Sequence, residues 1–76
     1  MDIEKLVRMA NQIAANNDYG ADKDKIAATV ADHLTRFWTP EMRAAIIEGH
    51  RRKILDLTPM AAHAVERLAP PKTSAA

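Results

Sequence analysis

Residues 26–41 read IAATVADHLTRFWTPE, and this segment contains both a helical repeat and the signals that end one helix and begin the next. Pro40 disfavours helical geometry in the residue before it, whereas Thr-Pro-Glu is a typical helix start. The segment therefore predicts a helix over residues 22–37, capped by Asp22, and another helix that begins at Pro40. The apolar residues of the first helix recur at helical spacing, and they are Ile26, Ala27, Val30, Leu34 and Phe37.

Similar signals lie on both sides of this segment. Residues 2–16 carry an amphipathic helical pattern, and Thr58-Pro59 repeats the helix start before another apolar stripe. Residues 50–57 either extend the third helix past Gly49 or form a connector that directs Ile54, Leu55 and Leu57 inward. No run alternates apolar and polar residues with β-branched content. We expect an all-α fold, a small single-domain bundle of three to four short helices over residues 1–69, with a disordered tail over residues 70–76.

The length and composition of the chain exclude several classes of protein. Its 76 residues allow one small domain, and 15 alanines among the apolar residues leave few large side chains for a core. The absence of cysteine excludes a disulfide framework and a thiolate metal site. Eleven basic and ten acidic residues lack the basic excess of a nucleic-acid-binding protein. We expect a cytoplasmic chain, with neither a signal peptide nor a membrane span, that a partner protein stabilises.

The reactive side chains form no recognisable catalytic pattern. His33, His50 and His63 are too far apart in sequence to place two imidazoles on one helical face, so a metal site is not expected. The carboxylates do not form an acid–base pair, and no serine or threonine has a neighbouring base. His33 falls within the apolar stripe of its helix, which predicts a half-buried histidine. We therefore predict no catalytic, cofactor-binding or metal-binding residue in this chain.

Two features point instead to a surface for another protein. Trp38 is rotated by about 100° from Phe37 if the helix continues, so it either contacts a partner or folds over the third helix as a lid on the core. On the third helix, a second strip lies beside the inner stripe, and the chain has little material to bury both. This strip comprises Arg43, Ile47, His50 and Ile54, and Met9 is assigned to the same docking surface. The basic run at residues 51–53 is a solvated end or a contact for an acidic partner.

Three segments together resemble a known family. Residues 5–14 read KLVRMANQIA, residues 33–43 read HLTRFWTPEMR, and residues 64–68 read AVERL. They are similar to the delta subunit of NAD-dependent formate dehydrogenases, and the resemblance covers residues 3–68. The first two segments are specific in combination, and the third is a generic helical pattern. One departure lies at residues 50–53, where this chain has HRRK and relatives tend to have a connector rich in glycine and alanine.

The resemblance implies a non-catalytic accessory subunit of a cytoplasmic molybdenum enzyme that oxidises formate to carbon dioxide and reduces NAD. It implies that other subunits hold the bis-molybdopterin guanine dinucleotide (bis-MGD) molybdenum, the iron–sulfur clusters, FMN and NAD. The implied partner is the catalytic alpha subunit in a hetero-oligomer, without nucleic acid or a membrane. The motif positions that the resemblance marks as partner contacts are Asn11, Gln12, Arg36, Trp38 and Arg43, beside Met9 and Ile47 from the helical pattern.

Three functional hypotheses remain open at this point. The chain is a permanent subunit that supports the stability or the molybdenum-cofactor loading of the alpha subunit, or it is a transient chaperone for insertion of the bis-MGD cofactor. In the second case, the guanidinium groups that bind phosphate would be those of Arg36, Arg43, Arg51 and Arg52. The third hypothesis is a self-associating helical module without an enzyme partner. The stoichiometry in purified enzyme separates the first hypothesis from the second.

Overall fold

The computed structural model describes residues 2–20 and 22–68. In chain order, the helices are α1 (Ile3–Asn16), α2 (Lys23–Phe37), α3 (Pro40–Arg51) and α4 (Pro59–Glu66), and no strand lies within the described ranges. This arrangement confirms the predicted all-α class. The predicted starts of α1 and α2 differ from the observed ones by a single residue. The predicted tail at residues 70–76 lies outside the described residues.

Each helix begins where a side chain accepts a hydrogen bond from a backbone N–H of the first turn. Asp22 Oδ1 accepts from Asp24 N at 2.8 Å, and Asp2 caps α1 in the same way. Thr39 Oγ1 accepts from Met42 N at 3.2 Å, and Thr58 Oγ1 accepts from Ala61 N at 3.3 Å. Both Thr-Pro pairs therefore act as the sequence predicts, with threonine at the cap and proline at the first helical position.

The core forms around α4, which contacts each of the other three helices and packs most extensively on α2. Six of the fifteen buried apolar residues in the described ranges are alanines, and these small side chains let the helices approach closely. The largest side chains that are fully buried belong to Ile26, Val30, Leu34 and Ile46. A bundle of 76 residues thus builds a thin core, with a small apolar area removed from water.

Phe37 lies outside the core and Trp38 lies inside it, although helical spacing predicts a buried Phe37. The side chain of Trp38 is 5% exposed and belongs to the core, whereas that of Phe37 is 70% exposed, so the prediction of a buried Phe37 is wrong. The cause is that α2 ends at Phe37 and Trp38 adopts an extended conformation, with φ −92° and ψ 146°. The rotation of about 100° per residue applies only inside a helix, and the extended backbone turns the indole back onto the bundle.

His33 also lies outside the core, contrary to the half-buried position predicted for it. Its side chain is exposed, and its ring centroid is 4.7 Å from that of Phe37 at an interplanar angle of 45°. The two rings, four residues apart, contact each other on the outer surface of α2.

The connector between α3 and α4 combines the two alternatives that the sequence left open. Helix α3 continues two residues past Gly49, and Lys53 then adopts a left-handed conformation with φ 59°. Lys53 N donates to His50 O at 3.0 Å, and Ile54 N donates to Gly49 O at 3.2 Å, which together form a Schellman motif. Leu55 and Leu57 then pack against the core, as the connector alternative predicted, whereas the side chain of Ile54 is 66% exposed.

Candidate protein-interaction surface

Asn11, one of the predicted contact residues, holds the connector against α1. Its Nδ2 donates to the carbonyl oxygen of Asp56 at 3.1 Å, and its Oδ1 accepts from the backbone N–H of Thr58 at 2.9 Å. The two hydrogen bonds fix the connector immediately before α4 begins. The side chain of Asn11 therefore has a structural role within this chain, which the resemblance alone did not indicate.

Arg43 also acts within the chain. Its Nη1 donates to the carbonyl oxygens of Thr35 at 3.1 Å and of Trp38 at 2.6 Å. These carbonyls lie at the C-terminal end of α2, where the helix itself provides no donors for them. The guanidinium group of Arg43 thus caps α2 from the first turn of α3 and fixes the angle between the two helices.

Met9, Trp38 and Ile47 are covered to different degrees. Trp38 is buried, and its indole covers the core. This is the second of the two alternatives that the sequence left open for this residue. Met9 and Ile47 are half-buried and pack against the same core. In the isolated chain, only the outer parts of Met9 and Ile47 are accessible to another molecule.

Gln12 and Arg36 are the two predicted contact residues with exposed side chains. Arg36 Nε lies 3.0 Å from Asp32 Oδ2, one helical turn earlier on α2. An exposed ion pair of this kind contributes little to stability, so Arg36, like Gln12, is available for contacts with another molecule.

The second strip predicted on α3 is used within the bundle, and Ile54 is not part of it. His50 Nε2 lies 2.9 Å from Glu66 Oε2 and so links α3 to α4, while Arg43 caps α2 and Ile47 packs against the core. The bundle covers this strip only in part, since Ile47 and His50 are half-buried although α3 contacts both α1 and α4. Ile54 follows the left-handed turn at Lys53 and points away from the helix that was predicted to carry it.

The four arginines proposed to hold phosphates do not converge on one place. Arg43 is engaged with the end of α2, and Arg51 lies eight residues further along α3, about 12 Å along the helix axis. Arg36 is paired with Asp32, and Arg51 Nη2 lies 3.2 Å from Glu48 Oε1. Within the described ranges, no three His, Asp or Glu side chains cluster so as to hold a metal ion.

Sequence reasoning missed a groove between α1 and the connector. Its apolar lining consists of Ile3 and Val7 from α1 and of Ile54 and Leu55 from the connector. The polar residues of the lining are Glu4, Arg8, Asn11 and Asp56. The sequence contains one signal of this groove, namely the run of apolar residues after the helix-ending segment 50–53, but the spacing assigned Ile54 to the helix instead.

A second groove lies on the other side of Asn11, between α1 and α4. It is lined by the small residues Ala14 and Ala15, by Met60, and by polar side chains that include Lys23 and His63. His63 Nε2 lies 3.2 Å from Asp24 Oδ1, so the imidazole joins α4 to the start of α2. The imidazole of His63, which lines this groove, therefore also helps to hold two helices together.

Three large apolar side chains are exposed among the described residues, and they lie in three different elements. Tyr19 lies in the turn between α1 and α2 and is 69% exposed, Phe37 ends α2, and Ile54 lies in the connector. None of the helices in the described part of the chain has the length and hydrophobicity that a bilayer crossing requires. Of the three, Ile54 is the one that lines a groove together with other apolar side chains.

The chain matches a known protein family over most of its length. Residues 5–65 match the family described as NADH-dependant formate dehydrogenase delta subunit FdsD. Neither the curated proteins nor the solved structures gave a significant match. The matched range includes α2, α3, the connector and all of α1 and α4 except Ile3, Glu4 and Glu66. Of the residues that line the two grooves, Ile3 and Glu4 lie outside it.

Proposed function

Because this chain belongs to the family of NADH-dependent formate dehydrogenase delta subunits, we propose that it is a non-catalytic accessory subunit that docks on the catalytic alpha subunit of that enzyme. Docking stabilises the alpha subunit in the form that contains its molybdenum cofactor. A protein that binds only the folded, loaded form shifts the equilibrium toward that form by mass action. The site of action is then the surface of this chain and not a pocket within it.

The observation that carries this proposal is how the polar side chains are used. Asn11, Arg43, His50 and His63 each bind another element of the same chain, so these four polar side chains have structural roles. Among the exposed apolar side chains, Ile54 adjoins the apolar lining of the groove between α1 and the connector, and an exposed apolar surface with a polar rim suits contact with another protein. This division of roles suits a scaffold better than a catalyst.

The donor groups of this chain do not fit the cofactors of the enzyme. Iron–sulfur clusters are held by cysteine thiolates, and the chain has no cysteine. The dispersed arginines likewise provide no cradle for the phosphates of a dinucleotide, which gives the chaperone hypothesis no support. We therefore place the molybdenum, iron–sulfur, flavin and NAD sites on other subunits. As a subunit of that enzyme, the chain is proposed to lie in the same compartment, the cytoplasm.

The proposal is tested by purifying the enzyme through an affinity tag on the alpha subunit, from cells with and without this chain. We expect one copy of the chain per alpha subunit in the first preparation. In the second, we expect a lower temperature of irreversible inactivation or less molybdenum per alpha subunit. These two readouts separate a stabilising role from a role in cofactor loading.

Several outcomes would contradict the proposal. If the chain is needed for molybdenum loading but is absent from the purified enzyme, it is a transient assembly factor. If it is absent from the enzyme and forms a stable homodimer by sedimentation, it is a self-associating module. If its removal changes neither inactivation nor molybdenum content, the docked subunit has a different role.

A further inference from the structure

Three consecutive cations lie where α3 ends, and this basic turn comprises Arg51, Arg52 and Lys53. It is the only run of three Lys or Arg residues in the sequence, and all three side chains are exposed. Arg51 Nη2 lies 3.2 Å from Glu48 Oε1, one turn earlier on the same helix. No ion pair joins Arg52 or Lys53 to a carboxylate of the described residues. The basic turn therefore carries two cations that the described part of the chain does not neutralise.

Cations at the end of a helix have a structural role of their own, which accounts for part of this pattern. Arg51 and Arg52 lie at the C-terminal end of α3, where the helix dipole favours positive charge. Lys53 is different, because its φ of 59° is a left-handed conformation in which an L side chain is strained. Glycine is the usual residue at this position of a Schellman motif, since it adopts the conformation without strain. Lysine therefore makes the chain less stable than glycine would, and strained residues of this kind are concentrated at functional sites.

The basic turn is held in place by α3 and by the connector. Lys53 N donates to His50 O at 3.0 Å, and Ile54 N donates to Gly49 O at 3.2 Å. The side chain of Leu55 lies against Gly49 and packs on the core. The backbone that carries the two unpaired cations is therefore ordered before any partner binds, which lowers the entropic cost of binding.

The number and the placement of these charges decide which class of anion fits the basic turn. The C-terminal end of a helix presents carbonyl oxygens and not N–H groups, so a single phosphate finds no backbone donors there. Binding to duplex nucleic acid typically involves about six to ten phosphate contacts, and polybasic membrane-binding segments contain about four to eight cations. Three cations in a chain of formal net charge +1 are too few for either. A small cluster of carboxylates on the surface of another protein requires only a few such contacts.

We propose that the basic turn docks on a cluster of acidic side chains of the catalytic alpha subunit, with which Arg52 and Lys53 form ion pairs. This inference rests on the proposed function, and it names the surface through which docking occurs and the chemistry of the surface that receives it. Exposed ion pairs of this kind contribute more to the rate and the orientation of association than to affinity. Lys53 lowers the stability of the fold, and the complex gains a contact that glycine could not provide.

The test is a competition between two forms of the full-length chain for the same enzyme. The unmodified chain and one variant are co-expressed with the affinity-tagged alpha subunit, and mass spectrometry gives their ratio in the purified enzyme and in the lysate. Lys53→Gly removes both the charge and the strain, whereas Lys53→Arg keeps both. A double variant combines Lys53→Gly with Arg52→Gln. Its control, Lys23→Gln with Lys25→Gln, changes the net charge equally at the exposed start of α2.

We expect Lys53→Gly to change stability and binding in opposite directions. In urea unfolding of the isolated chain, the midpoint should rise, because the left-handed backbone is no longer strained. In the competition, the share of this variant in the enzyme should fall about threefold relative to its share in the lysate, and that of the double variant about tenfold. The Lys53→Arg variant and the control should stay within about twofold of the unmodified chain.

Several other results would overturn this assignment of the basic turn. If the unmodified chain is present in the enzyme and Lys53→Gly keeps an equal share, the turn does not dock, while the subunit role stands. If Lys53→Gly lowers the urea midpoint, lysine is not strained at this position and its presence there needs no function. An equal loss in Lys53→Arg would show that the partner does not recognise the charge. An equal loss in the control would indicate general electrostatic attraction.

The same preparations identify the partner. If neither form of the chain is present in the purified enzyme, the proposed function fails first. If nuclease treatment releases the unmodified chain from the enzyme, the basic turn contacts nucleic acid and not an acidic protein surface. If Lys53→Gly weakens a homodimer detected by sedimentation of the isolated chain, the acidic surface belongs to a second copy.

Discussion

The guanidinium group of Arg43 donates to the carbonyl oxygen of Trp38 at 2.6 Å, across the junction of α2 and α3. This contact joins Arg43, which caps α2, to Trp38, whose indole is buried in the core. Trp38 leaves the helix in an extended conformation, and its carbonyl is thereby turned toward the first turn of α3. The same guanidinium nitrogen also reaches Thr35 O, so one side chain satisfies two carbonyls at the end of a helix.

Replacement of Arg43 by alanine should destabilise the isolated chain. The two carbonyls lose a charged donor, and a hydrogen bond to a charged group contributes about 1.5–3 kcal/mol to the free energy of unfolding. Urea unfolding followed by circular dichroism measures this change. Arg36→Ala is the control, because the exposed pair with Asp32 contributes about 1 kcal/mol at most. Equal losses of unfolding free energy in the two variants would show that the hydrogen bonds of Arg43 to Thr35 and Trp38 stabilise the chain no more than the exposed ion pair of Arg36 does.

Trp38→Ala should unfold most of the chain, whereas Phe37→Ala should leave it folded. Truncation of a buried tryptophan costs about 3–5 kcal/mol, which is comparable to the whole stability of a small domain. The exposed Phe37 should change the stability by about 0.5 kcal/mol or less. Thermal melts of the two variants measure the difference. A folded Trp38→Ala variant with an unchanged midpoint would contradict burial of the indole.

Trp38 also provides a spectroscopic check, because it is the only tryptophan of the chain. Its fluorescence should be blue-shifted in the native chain and should move to longer wavelength on unfolding in urea. Substitution of Phe37 should leave the native emission maximum unchanged. An emission maximum typical of a solvated indole in the native chain would place Trp38 on the surface.

Asn11→Ala should loosen the connector more than it weakens the helices. Loss of the two hydrogen bonds to Asp56 and Thr58 should lower the free energy of unfolding by about 1 kcal/mol, since the groups freed are partly solvated. Hydrogen exchange of the Thr58 N–H should accelerate, while amides inside α2 retain their protection. Gln12→Ala is the control, because the adjacent exposed side chain forms no hydrogen bond with the described residues. An unchanged rate of hydrogen exchange at the Thr58 N–H would contradict the role of Asn11 in holding the connector.

Sequence patterns predicted the helices better than the use of individual side chains. The starts at Asp22, Thr39 and Thr58 follow from local chemistry, because a cap and its helix lie within four residues of each other. Helical spacing failed at Phe37 and Ile54, which lie where a helix ends and the backbone changes direction, and also at His33, which is exposed within α2. A periodic argument holds only while the dihedral angles stay helical.

The contacts of Asn11 and Arg43 could not be predicted for a different reason. Asn11 binds residues 45 and 47 positions away along the chain, and no local pattern contains that information. Arg43 is close in sequence to Thr35 and Trp38, but its contact depends on the angle between two helices. The family resemblance marked both positions without distinguishing a structural role from a docking role. That distinction required the tertiary structure.

Gly49→Ala should destabilise the chain, although alanine favours a helix. A Cβ at this position would lie 2.7 Å from Leu55 Cδ1 and 2.8 Å from Leu55 Cγ, so the side chain of Leu55 has to shift. Overpacking of this kind costs about 1–3 kcal/mol, and the better helix propensity of alanine offsets about 1 kcal/mol of it. We therefore expect a net loss of about 1 kcal/mol in urea unfolding.

A double-mutant cycle separates the clash from other effects of Gly49→Ala. In a Leu55→Ala background, the contact is absent, so Gly49→Ala should become neutral or stabilising through helix propensity alone. The coupling energy between the two positions should therefore be clearly different from zero. The same change at Gly20, where φ is +80° and no atom lies within 4 Å of the added Cβ, should destabilise through backbone strain and show no coupling to Leu55. A loss at Gly49 that is identical in both backgrounds would show that Leu55 does not pack closely on this helix and that the wall of the groove is not fixed there.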